Sequence, residues 1–426
     1  MSKGIATRLN PLPPKWNMEP LHRLVEFWDG KRIPLKQEVR DGMEGSVPYY
    51  GASGIIDYVN DFLFDDELIL VGEDGENVVS RNLPLAFRIS GRSWVNNHAH
   101  VLKPLAVVDI TFLTEYLESL DYSAIASGSA QPKITQRQLQ GVLVTFPPLP
   151  HQRKIAKILT TVDNLIEKTE ALIAKYQSIK QGMMHDLFTR GVDAKGKLRP
   201  PQSEAPELYK QSELGWIPKE WEVMRLRDIV SHEKPVTYGI VQPGNFAPNG
   251  ILLIRGQDYI SGWNTEDNFF KVTKVLHHQF RRSTTQCNDV LICIVGATTG
   301  AVNRVPAWIK EANITQTTAR ISCDLKKSNS LFVEMFLASE GGKKQVRKYV
   351  KGSAQPGLNL ADVAQFKLPI PPIFEQNIIC GRLSVMRQKL DVESIYGTVL
   401  GSIKKALMED LLTGKVQVTP DAEDKE

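Results

Sequence analysis

His98 and His100 are separated only by Ala99, a spacing that puts both imidazoles on one side of a strand. They could ligate a metal, but no third ligand stands beside them, and His277-His278, next to basic residues, is an equally isolated pair. No metal is expected. Glu73, Asp74 and Glu76 form an acidic loop, yet no acid followed by acid-x-Lys, as a metal nuclease needs, accompanies it. Gly-x-Ser-x-Gly, P-loop and dinucleotide fingerprints are missing. Phe146-Pro147-Pro148-Leu149 looks superficially like the catalytic tetrapeptide of amino-methyltransferases, but no glycine-rich cofactor loop precedes it. No catalytic residue and no cofactor of the chain's own is assigned.

What remains is recognition chemistry. Asn96, Asn97, His98 and His100 crowd one stretch, and Gln316, Thr317, Thr318 and Arg320 crowd another. Asn and Gln can pair with adenine edges, Arg with guanine, and a carboxylate can accept from cytosine. Arg255 and Gln257 follow the strand-like run Ile251-Leu252-Leu253-Ile254. Ser53, Glu73, Asp74, Asn77, Arg92 and Lys133 in the first half, and Tyr238, Thr298 and Thr299 in the second, complete the candidate DNA contacts. Lys343, Lys344, Arg347, Lys348 and Lys351 place five bases in nine residues with no acid, a pattern suited to phosphates or to a solvated helix face.

The elements that must position these residues come in two copies. Gly128-Ser129-Ala130-Gln131-Pro132 recurs as Gly352-Ser353-Ala354-Gln355-Pro356, 224 residues later. In the same register Pro147-Pro148 meets Pro371-Pro372, Gln152 meets Gln376, and Met184, Asp186, Leu187, Thr189 and Val192 meet Met408, Asp410, Leu411, Thr413 and Val416. Upstream, Pro14-Lys15-Trp16 resembles Pro218-Lys219-Glu220-Trp221 at an offset of 205, so the second copy is 19 residues longer between its Trp and its repeated pentapeptide. Such a register points to duplication.

Apolar residues at alternating spacings of three and four predict a long helix after each Pro-Pro pair. The first stripe is Ile155, Leu159, Val162, Leu165/Ile166, Leu172, Tyr176, Ile179 and Met183, and the second is Ile379, Leu383, Met386, Leu390, Tyr396, Leu400, Ile403 and Leu407. A helix from His151 to Phe188 would run roughly 57 Å. Each stripe needs an apolar partner, and the other stripe is the expected one.

The globular segments read as α+β with many short strands. Glu67–Gly72 and Asp289–Gly296 are apolar runs ended by Gly, Trp94–Lys103 and Asn313–Asp324 are further strand candidates, and Phe112–Leu120 and Leu331–Ser339 look like short amphipathic helices. The expected layout is 1–150 first globular domain, 151–190 first helix, 191–215 linker, 216–372 second domain, 373–414 second helix and 415–426 polar tail.

Composition adds bounds. The chain has 426 residues, 42% hydrophobic and 23% charged, ordinary for a folded soluble protein. A formal charge of +4 names no partner by itself. No apolar run approaches a membrane span, and Met1–Pro14 has no apolar core of signal-peptide length, so a cytoplasmic location is expected. Cys287, Cys293, Cys323 and Cys380 form no CxxC pair and read as small hydrophobes of a reducing compartment.

Domain, long helix, domain, long helix, with the repeated GSAQP…PP…Q motifs, resembles the specificity (S) subunit of type I restriction–modification systems over nearly the whole chain. Ser212-Glu213-Leu214-Gly215-Trp216-Ile217-Pro218, Tyr49–Gly54, Val71–Gly75 and Ile254–Asp258 also look like segments of that family. The resemblance implies two target recognition domains, each reading one half of a split DNA site. It implies an antiparallel coiled coil that fixes the unread gap, with pseudo-twofold symmetry between the halves. It implies docking of two modification subunits that carry S-adenosylmethionine and methylate adenine, joined by restriction subunits that use ATP and Mg. Other readings are a specificity subunit whose nuclease and methylase partner is one fused chain, a self-contained methyltransferase or nuclease, or a scaffold that binds no nucleic acid.

Overall fold

A computed structural model describes residues 12–128, 131–352 and 355–422. Ser129, Ala130, Ser353 and Ala354 of the repeated pentapeptide lie outside them. The chain divides into two units, residues 1–172 with 393–426, and residues 173–392. Each long helix, Leu149–Thr189 and Ile373–Leu411, contributes one part to each unit.

The first unit holds β1 (Asn17–Pro20), β2 (Val25–Phe27), β3 (Glu44–Gly51), β4 (Gly54–Val59), β5 (Phe64–Asp65), β6 (Leu68–Gly72), β7 (Ala86–Ile89), β8 (Arg92–Val95), β9 (Ala99–Pro104) and β10 (Leu143–Phe146). They make two four-stranded sheets, in the orders β2-β9-β6-β7 and β4-β3-β8-β5, plus the antiparallel pair β1-β10. Every residue of β6 is buried because its sheet is covered on both faces. Ile69 and Val71 face a core with Phe112, Leu113, Ile155, Leu159, Leu411 and Leu412, while Leu68 and Leu70 face Phe64, Val95 and Val101. Alternate residues of one strand thus join two cores.

The second unit repeats this plan with β13 (Glu222–Arg225), β14 (Thr237–Tyr238), β15 (Ile251–Ile254), β16 (Phe270–Val272), β17 (Thr284–Thr285), β18 (Val290–Cys293), β19 (Val302–Arg304), β20 (Ala312–Ile314), β21 (Thr318–Ile321) and β22 (Lys367–Ile370). The sheets are β14-β21-β18-β19 and β16-β15-β20-β17, with β13 paired to β22. Val290 and Ile292 face a core with Phe332, Leu187, Phe188, Ile379 and Leu383, and Leu291 faces Ile254, Tyr259 and Ile314. In each unit one strand pair is parallel, β3 with β8 (Tyr50 beside Val95) and β15 with β20 (Ile254 beside Ile314).

The paired glutamines fasten helix to domain in the same way twice. Gln152 Oε1 accepts from Asp109 N (2.8 Å), and its Nε2 donates to Pro147 O (2.9 Å) and Val107 O (3.3 Å). Gln376 Oε1 accepts from Asn329 N (2.8 Å), and its Nε2 donates to Pro371 O (2.8 Å) and Lys327 O (3.3 Å). Asp109 and Asn329 are the N-caps of the short helices Ile110–Glu118 and Ser330–Ala338.

The helices pair antiparallel, the start of one beside the end of the other within each unit. Ile155, Leu159, Val162, Ile379, Leu383, Leu390 and Leu400 are buried, and Ile166, Leu172, Tyr176, Met183, Met386 and Leu407 are half-buried. Leu165, Ile179, Tyr396 and Ile403, expected in the seam, are each more than a third exposed. The deepest positions sit at the helix ends because there the helices also share a domain core.

Residues 191–215, expected to be a linker, are packed. Val192 and Arg199 are buried, and β11 (Tyr209–Ser212) pairs with β12 (Gly215–Pro218) as a hairpin. Glu375 gathers the segment: it accepts from Val192 N (2.7 Å), Arg199 Nη1 (2.5 Å) and Trp221 Nε1 (3.0 Å). In the tail, Asp421 binds Lys154 (2.5 Å) and Lys157 (2.9 Å) of the first helix. Those two ammonium groups hold its carboxyl at about 2. Cys293 and Cys380 are buried, Cys287 and Cys323 half-buried, and all four are free thiols. Burial pushes the Cys323 and Cys380 thiols up to about 12. No described helix is long and apolar enough to cross a membrane.

Candidate nucleic-acid interface

The two stretches expected to be strands are strands, each broken by a polar turn. Residues 94–103 split into β8 and β9 around Asn96–His98, and residues 313–324 into β20 and β21 around Thr315–Thr317. His98 and His100 therefore do not share a face as expected: His98 is exposed in the turn, and His100 is buried in β9.

A backbone ladder gathers the site of the first domain at one end of its sheets. Glu73 N donates to His98 O (2.8 Å), Ile134 N to Glu73 O (2.8 Å), Gly75 N to Pro132 O (3.0 Å) and Asn96 N to Tyr50 O (3.1 Å). Gly72 permits the close approach of the 51–54 turn, since a Cβ there would lie 2.6 Å from Ala52 O. Ser53, Glu73, Asp74, Asn77, Asn96, Asn97, His98 and Lys133 are thereby brought together. Arg92 is not: it lies at the other end of β8, beside Asp65 and over the Phe62 ring.

The side chains differ in availability. Asn97, His98 and Lys133 are exposed. His98 Nδ1 lies 2.9 Å from Asp74 Oδ1. Asn96 is buried and accepts from His98 N (2.8 Å), shaping the turn. Asn77 braces its own loop, donating to Leu83 O and, at 3.4 Å, to Ser53 Oγ. Beneath them lies a charged network. Glu73 takes Arg32 Nη1 (2.8 Å) on one oxygen and Lys133 Nζ (2.9 Å) on the other. His100 Nδ1 meets Asp29 Oδ2 at 2.6 Å, and its Nε2 meets Ile134 O at 2.8 Å. Burial works against ionisation of Glu73, but the bonds from Lys133 and Arg32 outweigh it and hold the carboxyl below its ordinary range. Asp29 is lowered likewise, against burial, by His100, the Val101 amide and Arg32. Sequence reasoning missed Asp29 and Arg32, whose partners lie 71 and 41 residues away.

The second domain builds the same ladder. Ile294 N donates to Thr317 O (2.8 Å), Leu358 N to Ile294 O (2.8 Å), Gly296 N to Pro356 O (2.9 Å) and Thr315 N to Ile254 O (3.2 Å). Gln257, Thr298, Gln316 and Lys351 are exposed there, with Thr299 and Thr317 half-buried. Tyr238 is exposed at the end of β14, just before Gly239 and Ile240, which pair with Thr315 and Ile314. Arg255 is half-buried and clasped by Asp258 at 3.0 Å. Thr299 Oγ1 donates to Gly296 O (2.7 Å) and Pro356 O (3.0 Å), pinning the turn.

Two expected base readers face inward. Thr318 is fully buried against Tyr259 Oη (3.3 Å). Arg320 is 1% exposed, and its guanidinium donates to Pro235 O, Arg282 O and Thr284 O at 3.1, 3.1 and 2.5 Å. It ties β21 to β17 of the other sheet and to the backbone at Pro235 and Arg282, and presents no edge to a ligand. Among the described residues no three His, Cys, Asp or Glu cluster closely enough to hold a metal. His277 instead hydrogen-bonds Asn313 at 2.8 Å.

Comparison with known proteins gives a consistent picture. The family described as "Type I restriction modification DNA specificity domain" matches twice, over residues 13–176 and 218–394. The type I restriction enzyme EcoBI specificity subunit of Escherichia coli is 30% identical over 275 residues, 64% of this chain and 56% of that one. The MjaVIII specificity subunit of Methanocaldococcus jannaschii is 23% identical over 425 residues, covering 96% of this chain and 94% of its own. The chain thus aligns with little more than half of the first relative's length and nearly all of the second's. In fold it is similar to the crystal structure of a type I restriction–modification system S subunit from M. genitalium, with TM-score 0.60 at 16% identity, covering 96% of this chain and 98% of that one.

Proposed function

The chain belongs to the type I restriction modification DNA specificity family, and from that premise we propose that it is the sequence-reading subunit of a restriction–modification complex. Each globular domain reads one half of a split DNA site. The paired long helices set the unread gap and dock the methyltransferase subunits. Methyl transfer to adenine, with S-adenosylmethionine, and ATP- and Mg-dependent cleavage belong to the partner subunits, and the complex works in the cytoplasm.

One observation carries the reading. Both domains form the same backbone ladder, from strand end to return loop, and each ladder displays a different set of exposed polar groups. Asn97, His98 and Lys133 stand on one, and Gln257, Thr298, Gln316 and Lys351 on the other. A common frame with different side chains is what two independent readers of different half-sites require.

Methylation profiling of a host genome with and without this chain tests it. A split motif that appears only with the chain is expected, and an unsplit motif or none would refute the reading. Asn97→Ala should alter one half of that motif and Gln316→Ala the other. Four residues inserted after Lys168 should lengthen the gap or abolish binding. An unchanged gap at full activity would remove the ruler role.

A further inference from the structure

We propose that the duplex is gripped unequally, with phosphate binding concentrated on the second domain through the helix Glu340–Tyr349. This rests on the reading above and adds to it where the affinity comes from.

In both domains a capped short helix is followed by a segment that returns to the ladder. In the first domain that segment, Ser119–Ser127, contains no Lys or Arg and one acid, Asp121. In the second, Ser339–Lys351 contains five bases and one acid and folds as a ten-residue helix. Gly342, Gln345 and Val346 turn inward: Gln345 Oε1 accepts from Lys367 N (3.2 Å), and Val346 packs on Gly300, whose Cβ would lie 2.8 Å from Val346 Cγ1. Lys343, Lys344, Arg347 and Lys348 turn outward. Gly300 ends the turn that carries Thr298 and Thr299. At the other end of the helix, Lys351 pairs through its backbone with Gly357, next to Leu358 of the ladder. The helix therefore abuts the reading end, with its basic residues on the outward side.

Helix stability does not account for this pattern. Lys343 and Arg347, and Lys344 and Lys348, are like charges four residues apart on the helix, which repel. Lys343 and Lys344 also sit in the N-terminal half, where the helix dipole disfavours cations. Glu340, the one acid of the helix, pairs with Arg347 and is also drawn by Lys343 and Lys344, so one carboxylate stands against four bases. Among the described residues Lys343, Lys344 and Lys348 make no ion pair. The first domain's cations at its reading end, Arg32 and Lys133, are both engaged by Glu73. A row of closely spaced, unneutralised cations beside a reading turn fits the regularly spaced phosphates of a duplex.

The test compares the full-length chain with the triple variant Lys343→Gln/Lys344→Gln/Lys348→Gln, measuring duplex affinity across a salt series. Melting by circular dichroism checks that the variant is folded. Each lost phosphate contact lowers the slope of log affinity against log salt by about 0.9, so a fall of about 2.7 is expected, with the methylated motif unchanged. Neutral methylphosphonates placed at the second half-site should weaken wild-type binding more than the same number at the first. An unchanged slope in a folded variant, or equal loss at the two half-sites, would overturn the proposal. So would a variant that keeps its slope but no longer assembles with partner subunits, which would make the helix a protein-docking face. Equal wild-type affinity for split-site and scrambled duplexes would defeat sequence reading itself, yet would leave the salt slopes readable.

Discussion

The two reading ends share a hydrogen-bond frame and almost nothing else. Glu73 and Ile294 occupy the same rung, as do His98 and Thr317, His100 and Ala319, and Lys133 and Gly357. The first end is underpinned by a polar network, buried at Asp29–His100 and reaching the surface through Arg32–Glu73–Lys133. At the second, Thr315 and Thr317 share a hydroxyl contact of 3.0 Å, Thr299 caps a turn, and Ile294, Ala319 and Gly357 stand where Glu73, His100 and Lys133 do. Because the frame uses backbone N–H and C=O groups, it constrains side chains little. That is how duplicated domains can come to present different surfaces without losing their fold. The same contrast appears where each helix joins its domain. Glu375 binds Arg199, Trp221 and the chain at Val192, whereas His151, 224 residues earlier, lines a cavity of about 140 Å³ with Trp16 and Pro147.

The largest break in this comparison should come at that junction. Glu375→Ala leaves buried Arg199 with only the exposed Glu220, 3.6 Å away, and strands Trp221 Nε1, and should destabilise the second unit by about 3 kcal/mol. His151→Ala should cost the first unit about 1 kcal/mol or less. Peptide-resolved hydrogen exchange reads each unit separately, and comparable losses would mean that the junctions are equivalent after all.

Arg320→Met comes next. Three carbonyls lose their donor, and the second domain should lose about 3 kcal/mol. The methylated motif should keep its letters in whatever protein remains folded. A new base preference with unchanged stability would return Arg320 to the readers.

Gln152→Leu and Gln376→Leu sharpen the symmetry. Each strands the same three backbone partners, so each unit should lose about 1–3 kcal/mol by equal amounts. Markedly unequal losses would mean that the matched hydrogen bonds do not carry matched energy.

Acid gives the smallest effect. The Asp29 and Glu73 carboxyls lie below their ordinary range, so their stabilisation is complete above about pH 5 and is lost as pH falls through the ordinary and then the lowered values. Glu115, raised by burial, works in the opposite sense and softens the loss. The rungs of the second ladder that match Glu73 and His100 are Ile294 and Ala319, which do not titrate. Brief pepsin digestion at pH 3 to 4 should therefore release first-domain peptides before second-domain ones, and the reverse order would contradict the network's contribution.

Much of this was legible in the chain. The 224-residue register predicted the repeated Pro-Pro and Gln positions, and the fold supplies their reason, since each Gln holds a helix cap against a helix start. The apolar runs and both long helices were legible as well, because periodicity and composition carry them. The remainder was not. Arg320 looks like a reader on a half-exposed strand, but its sheet is covered on both faces, so alternation gives no outward side. Asp29 and Arg32 carry no local signal. Residues 191–215 have a linker's composition, and Glu375, more than 170 residues on, helps to order their start.

The sequence by itself determined the duplication, the helical stripes and the class of chemistry, because these depend on residue type and spacing along the chain. The tertiary structure alone decided which polar groups face outward and which cations remain unneutralised. Burial and ion pairing are properties of neighbours in space, and those neighbours stand tens to hundreds of residues apart in the chain.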